Sequence, residues 1–265
     1  MTMWSQTPPA PMRREQILAI IERDGFAKVT TLSQIFGTSE VTIRADLDAL
    51  AAGHTIQRVH GGAVAGLRPA GLERSYEQNL LTSSGEKRRI GKAAAGLVES
   101  HQSVILDAGT TTTAVARALV QREDLENVVI ITNSLSIALE LEPATNRYTV
   151  VVTGGTLRAR QHSLVDPMAD AVLERVRADL AFVSCNGIDA GDGVTNMSLP
   201  DADVKRRMLL NASRAVVVAD HTKLGERRLS RVVPINAVDV LVTSTEADAT
   251  EVEKLREAGV TVLQA

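Results

Sequence analysis

Apolar positions along the chain follow two rhythms, and the change between them falls near residue 66. Before it, the spacing is helical. In "RREQILAIIERDG", Ile17, Leu18 and Ile21 recur at helical intervals and Gly25 supplies a stop. "TTLSQIFG" predicts a shorter helix with Leu32, Ile35 and Phe36 inward. "SEVTIRADLDALAAG" predicts a third, with Ser39 as N-cap and Gly53 past its end. Ile43, Leu47 and Leu50 fall on one face of it, and Thr42, Arg44, Asp46 and Asp48 on the other. "TIQRVHGGAV" reads as a hairpin, with Ile56 and Val59 flanking Gln57 and Arg58 and with Gly61 and Gly62 turning the chain.

From residue 85 short β-rich runs take over, at 103–107, 128–132, 149–153, 180–184, 215–219, 239–243 and 260–263. Most are continuously apolar, as strands covered on both faces are. Helical candidates lie between them at 86–99, 111–121, 134–141, 166–178, 200–212 and 248–258. That alternation predicts a mostly parallel α/β sheet. The expected order is a Pro-rich disordered tail over 1–12, a helical domain over 13–66, a linker over 67–84 and an α/β domain over 85–265.

Composition narrows the classes. The 265 residues accommodate two domains, and no run approaches the ~18 apolar residues of a membrane span. The N-terminus lacks the apolar core of a secretory signal. Cys185, the single cysteine, rules out a disulfide within the chain and fits a reducing cytoplasm; inside "LAFVSC" it reads as a small buried hydrophobe. Aromatics are only 2% and net charge is −3, which excludes a base-stacking surface for single strands. Five scattered histidines form no metal-binding pattern, so neither metal nor cofactor is expected.

Three helices and a hairpin make the layout of a winged helix-turn-helix, with "GTS" as the tight turn. The third helix would then enter a major groove, presenting Thr38, Ser39, Thr42 and Arg44, with Arg44 the candidate for a bidentate guanine contact. Arg58 and His60 in the hairpin could reach backbone or minor groove. A purely structural three-helix domain has the same pattern. Residues 1–68 hold seven basic and six acidic side chains, a weak electrostatic footprint. Specific binding to double-stranded DNA should therefore need two or more copies.

In the second domain, "SVILD" runs into "AGTTTTAVARAL". Four threonines are mediocre helix formers. At a helix N-terminus, though, their hydroxyls join free N–H groups and the dipole in holding a phosphate or carboxylate. Simple helix capping would look the same. Polar clusters follow other strands too: Thr132-Asn133-Ser134, Gly154-Gly155, Asn186 to Asp189 and Asp220 to Lys223. Parallel strands end at one sheet edge, so these clusters should converge.

"SEVTIRADLDALAAGHTIQRVHGGAV" resembles the signature of the DeoR/GlpR family of bacterial transcriptional regulators, with Ala45 where the family usually has a second arginine. "LDAGTTTTAVARAL", "ITNSL", "GGTLR", "GID", "DADVKRRML" and "ADHTKLG" resemble successive motifs of its effector domain, which is similar to ribose-5-phosphate isomerase. The resemblance implies a phosphorylated sugar as effector, with its phosphate on Gly109, Thr110, Thr111 and Thr112. It also implies that Asp107, Asn133, Gly155, Asp189 and Lys205 face the sugar or organise the pocket, and that Lys223 brings a positive charge. Asp166 and Asp201 replace a usual glycine and glutamate. The implied protein is a cytoplasmic homodimer or homotetramer that represses sugar-catabolism genes and leaves its operator when a sugar phosphate binds. A sugar-phosphate isomerase fused to a DNA-binding module, with Asp107 or Asp189 as base, is the enzymatic alternative. A constitutive architectural DNA-binding protein is a third.

Overall fold

Pro11 sits in the first turn of helix α1 (Ala10–Asp24), where its missing N–H would have no intrahelical partner. A computed structural model describes residues 8–52, 56–65 and 73–265. The expected disordered tail is therefore corrected from Ala10 onward, while residues 1–7, the Gly53 stop and residues 66–72 of the linker lie outside the described residues. The chain divides into two compact units, 1–72 and 73–265.

In the first unit, strand β1 (Phe26–Lys28) follows α1, then come helices α2 (Val29–Phe36) and α3 (Glu40–Ala52) and strands β2 (Ile56–Val59) and β3 (Gly62–Ala65). The three strands pair in the order β1-β3-β2, all antiparallel. Ile17, Ile21, Leu32, Ile43, Leu47 and Ile56 are buried in one core. Ile35, expected inward, is 55% exposed, because α2 is short and only Val29, Leu32 and Phe36 face the core. The paired glycines of the hairpin have different reasons. Gly61 takes φ +77°, which favours glycine, whereas a Cβ on Gly62 would stand 2.3 Å from the Ala27 carbonyl oxygen of β1.

Asp46 departs from its expected solvent face. It is buried, and its carboxylate accepts from Arg13 Nε at 2.6 Å and Arg14 Nε at 2.8 Å. Burial pushes this carboxyl up, but the bonds and charges of the two arginines outweigh it and hold it below the usual carboxylate range. The stabilisation is thus complete above the ordinary aspartate pKa and is lost as pH falls through the lowered one. Asp46→Asn should cost this unit about 3 kcal/mol, since it leaves Arg13 buried without its counter-charge. Calorimetry of the full chain checks this; an unchanged first transition would count against it.

The second unit opens with helices α4 (Tyr76–Leu81) and α5 (Ser84–Ala95). The segment from Glu73 expected to be linker is thus part of this unit. Then follow β4 (Ser103–Leu106), α6 (Thr110–Val120), β5 (Val128–Thr132), α7 (Leu135–Leu141), β6 (Tyr148–Val152), β7 (Thr156–Arg158), β8 (Ser163–Val165), α8 (Met168–Leu173) and β9 (Ala178–Ser184). β10 (Gly187–Asp189), β11 (Gly193–Asn196), α9 (Leu199–Leu210), β12 (Ala212–Val218), β13 (Ser230–Val233), β14 (Val240–Thr243), α10 (Ala249–Glu257) and β15 (Thr261–Gln264) complete it.

Every expected strand enters one seven-stranded parallel sheet, ordered β15-β14-β12-β9-β4-β5-β6. α5, α6 and α7 pack one apolar cluster against it, and α8, α9 and α10 another. Residues 178 and 212, expected to end helices, instead pair with each other as the first rung between β9 and β12; strand pairing here overrides helical spacing. Two small antiparallel sheets, β7-β8 and β10-β11-β13, were not expected, because strands of three or four residues carry too little alternation to read.

Candidate functional site

In the first unit, Val41, Arg44, Ala45 and Asp48 are exposed along α3 at helical spacing. Val41 is 73% exposed, and sequence reasoning missed it because a valine reads as core. Arg44 Nη2 lies 2.7 Å from Glu40 Oε2, an exposed i,i+4 pair. Ser39 Oγ accepts from the Thr42 N–H at 3.2 Å and lies 2.9 Å from Thr42 Oγ1, so these two side chains cap the helix. Thr38 is half-buried in the preceding turn. Arg58 pairs with Asp48 at 3.0 Å, and His60 is exposed at the tip of the hairpin.

In the second unit the strand order runs outward in opposite directions from β4 and β9. Ligands of open α/β sheets bind where strand order reverses, beyond the carboxyl ends. A cavity lies there, lined by Gly109, Thr110 and Thr111 after β4, by Ser184, Cys185 and Asn186 at the end of β9, and by Asp220 and Lys223 after β12. Lys87 of α5, Asp201 and Lys205 of α9, and Glu73, Tyr76 and Asn79 at the start of the unit complete much of its wall.

α6 begins at this cavity without a side-chain cap. Its first intrahelical bond runs from the Thr113 N–H to the Gly109 carbonyl at 2.9 Å, so the N–H groups of Thr110, Thr111 and Thr112 precede the ladder. The threonines divide their work: the Thr112 and Thr113 hydroxyls donate to the Gly109 carbonyl at 2.9 and 2.7 Å, while Thr110 and Thr111 line the cavity. Glycine at 109 has a packing reason. Its backbone is extended (φ 174°), but a Cβ would meet Ser184 Oγ at 2.2 Å.

Asp107 is fully buried and accepts from Lys205 Nζ, from the Ser184 N–H at 3.0 Å and from Ser184 Oγ at 3.1 Å. Asp201 lies 3.7 Å from the same ammonium. Burial pushes Lys205 down, but these two carboxylates more than reverse that and keep it an ammonium. Lys205 therefore braces the wall with its charge already compensated. Lys87 is different: burial pulls it down to about 8, against the partial compensation of Asp220. Lys223 makes no close ion pair among the described residues, but against the effect of burial its charge helps hold the Asp220 carboxyl below the usual range. Burial pushes the Cys185 thiol up to about 12, so it presents no thiolate.

The structure thus brings Gly109, Thr110, Thr111, Lys205 and Lys223 to one cavity, with Asp107 behind Lys205. Asn133 stands behind the wall, accepting from the Ala108 N–H at 2.9 Å and donating to the Leu164 carbonyl at 3.0 Å. Gly155 and Asp189 do not line it. A Cβ on Gly155 would instead meet the Val165 carbonyl oxygen at 2.5 Å, and Asp189 closes its own hairpin on the Gly191 and Asp192 N–H groups. Sequence reasoning missed Lys87 and the α4 residues, whose helix gave no chemical signal. Among the described residues, no cluster fit to hold a metal and no helix long and apolar enough to cross a membrane is present.

A winged helix-turn-helix and a parallel α/β unit with a polar, charge-lined cavity at its switch point define a class: transcriptional regulators that join a DNA-binding module to a sensor module. Residues 13–66 match the DeoR-like helix-turn-helix domain and residues 82–245 the DeoR C-terminal sensor domain. This chain belongs to the DeoR family. It is 36% identical to the HTH-type transcriptional regulator GlpR of Haloferax volcanii, over 96% of this chain and 97% of that one. It is 32% identical to a putative aga operon transcriptional repressor of Escherichia coli O157:H7, over 95% and 92%. A glycerol-3-phosphate regulon repressor of Escherichia coli K12 is 28% identical, over 87% and 89%. Among solved structures, ribose 5-phosphate isomerase A of Methanocaldococcus jannaschii aligns with a TM-score of 0.40 at 18% identity, over 54% and 55%. The relatives are named as regulators, and this protein is a transcriptional regulator rather than an enzyme.

Proposed function

We propose that this protein represses genes of sugar or sugar-phosphate use and leaves its operator when a phosphorylated sugar enters the cavity of the second unit. The observation that carries this is the uncapped N-terminus of α6, which opens on a cavity bordered by Lys87 and Lys223. Free N–H groups, a helix dipole and ammonium groups together select a phosphoryl group over a neutral sugar. Asn186, Asn196, Gln161 and Asp201 border the same space and supply partners for hydroxyls. The relatives named as repressors of the aga operon and of the glycerol-3-phosphate regulon support the sign of control.

On the DNA side, Arg44 reads a guanine, Val41 is placed for a thymine methyl, and Thr38, Ser39, Thr42, Arg58 and His60 serve backbone or groove contacts. Two or four copies in the cytoplasm act on paired half-sites, because one copy has few uncompensated cations: Arg13 and Arg14 are taken by Asp46, and Arg58 by Asp48.

The test is operator binding by fluorescence anisotropy while a panel of sugar phosphates is titrated in. A phosphorylated sugar that releases DNA, with its unphosphorylated parent inert, is the expected result. If none of the panel alters either DNA affinity or thermal stability, the effector reading fails. Lys223→Ala should leave operator affinity intact and weaken the response about tenfold, the worth of one charged hydrogen bond; a normal response would move the phosphate elsewhere.

A further inference from the structure

Helices α5 and α6 pack in close contact: a Cβ on Gly91 would stand 2.5 Å from the Ala114 carbonyl oxygen. Small side chains along both helices, among them Ala95, Ala114 and Ala118, leave a groove of about 980 Å³ between them, with room for side chains from outside. Its rim is basic. Arg88, Arg89 and Lys92 of α5 and Arg117 of α6 are exposed along it, and Arg122 is half-buried. Three of these cations are taken: Arg89 by Glu246 at 2.6 Å, Arg117 by Glu140, and Arg122 by Asp124 at 2.6 Å. Arg88 and Lys92 make no ion pair among the described residues. They stand four residues apart on one side of α5, where like charges repel and an anion between them is favourable.

The next helix of the same layer, tied to α6 through Arg117 and Glu140, carries the opposite surface. Leu139 of α7 is 69% exposed and Leu135 39%. Glu142 follows directly after α7, exposed and without an ion pair among the described residues. The backbone at Glu142 is still helical, with φ −50° and ψ −43°, so spacings of four and three place all three side chains in one stripe. Exposed leucines scattered singly need no explanation. Here two share a stripe that ends in a carboxylate, beside a groove with an apolar floor and two uncompensated cations.

We propose that this groove and the α7 stripe form a two-fold interface between two copies of the chain: Leu139 of each copy seats over the partner's Ala114 and Ala118, and Glu142 meets the partner's Arg88 and Lys92. A ridge and a groove side by side on one surface are what an isologous contact requires, since every contact is then made twice. A small anion or an acidic peptide in the groove would leave the leucines of α7 in water, whereas a second copy covers both features together. The inference goes beyond the repressor reading, which calls for two or four copies on paired half-sites without giving them a surface.

Sedimentation velocity of the full-length protein at micromolar concentrations tests it. The wild type should sediment as a dimer or a tetramer. Leu139→Asp should raise the dissociation constant of this contact at least about 100-fold, because it buries an unpaired carboxylate twice, and Glu142→Arg should raise it about tenfold. Both side chains are exposed within the chain, so circular dichroism should be unchanged. A variant carrying Arg88→Glu and Lys92→Glu should dissociate as Glu142→Arg does. Mixing these two charge variants should restore dimers, because each groove then meets a ridge of opposite charge, and a merely destabilised fold would not respond in this way. An assembly that ignores Leu139→Asp and both charge variants overturns the proposal and leaves the multi-copy reading standing. Failure of the mixture to reassemble overturns it as well. A protein that stays monomeric with and without operator DNA overturns both.

Discussion

Lys205→Met is expected to destabilise the α/β unit by about 3–5 kcal/mol, because it strands Asp107 as an unpaired carboxylate in the interior. Asp107 is fully buried, and its remaining partners are the N–H and hydroxyl of Ser184, neutral donors that do not replace an ammonium. Natural domains have only about 5–15 kcal/mol of stability in all, so the loss should be evident as a melting temperature lower by roughly 10 °C. A double-mutant cycle separates the pair from its surroundings. Asp107→Leu combined with Lys205→Met should recover much of the loss, since neither charge is then left alone. Additive losses would mean that Lys205 acts through packing, and an unchanged melting temperature for the single variant would remove the ion pair from the account of this fold.

Arg44→Ala should lower affinity for the operator about 10- to 100-fold per half-site while leaving affinity for unrelated duplex much less changed. In the free protein Arg44 is engaged by Glu40 at 2.7 Å. An exposed i,i+4 pair is worth only about 0.3–0.5 kcal/mol, whereas a bidentate guanine contact contributes about 1–3 kcal/mol of discrimination. The guanine therefore wins the arginine, and the ion pair serves to orient the side chain beforehand. Binding at fixed salt to operator and to scrambled DNA distinguishes the cases. Equal losses on both would make Arg44 a phosphate contact, and intact preference would take it out of the reading set.

Ala45 is exposed beside Arg44 on the same helical face. The departure from the family's usual arginine therefore falls on the exposed face of α3 and leaves the core of the unit untouched. Ala45→Arg tests its weight most directly.

The DNA-binding unit was largely legible because helical spacing, caps and a two-residue turn are local properties. Its main correction was Asp46. Polarity placed it outside, but two arginines 32 and 33 residues earlier in the chain hold it inside. No local pattern reports a partner at that distance. Ile35 erred in the opposite direction, since hydrophobicity marks what can be buried without saying which helical face finds a core.

The second unit divides in the same way. Continuous apolar runs marked all seven parallel strands, and the run of threonines after β4 marked residues that line the cavity. The order of the strands was not readable, and that order decides which strand ends meet. β4, β9 and β12 lie side by side and bring Thr111, Ser184 and Lys223 to one cavity. β5 and β6 lie on the other side of β4, so Asn133 becomes a brace and Gly155 a close-packing position.

By itself, then, the chain determined the two modules, their helices and strands, and the residue types able to hold a phosphate or touch a base, because periodicity and capping act over a few residues. Only the tertiary structure decided that Lys205 is neutralised by Asp107 while Lys87 is only partly compensated by Asp220, and that α4 closes one wall of the cavity. Charge compensation depends on neighbours from distant parts of the chain, and those are chosen by the crossing of the strands.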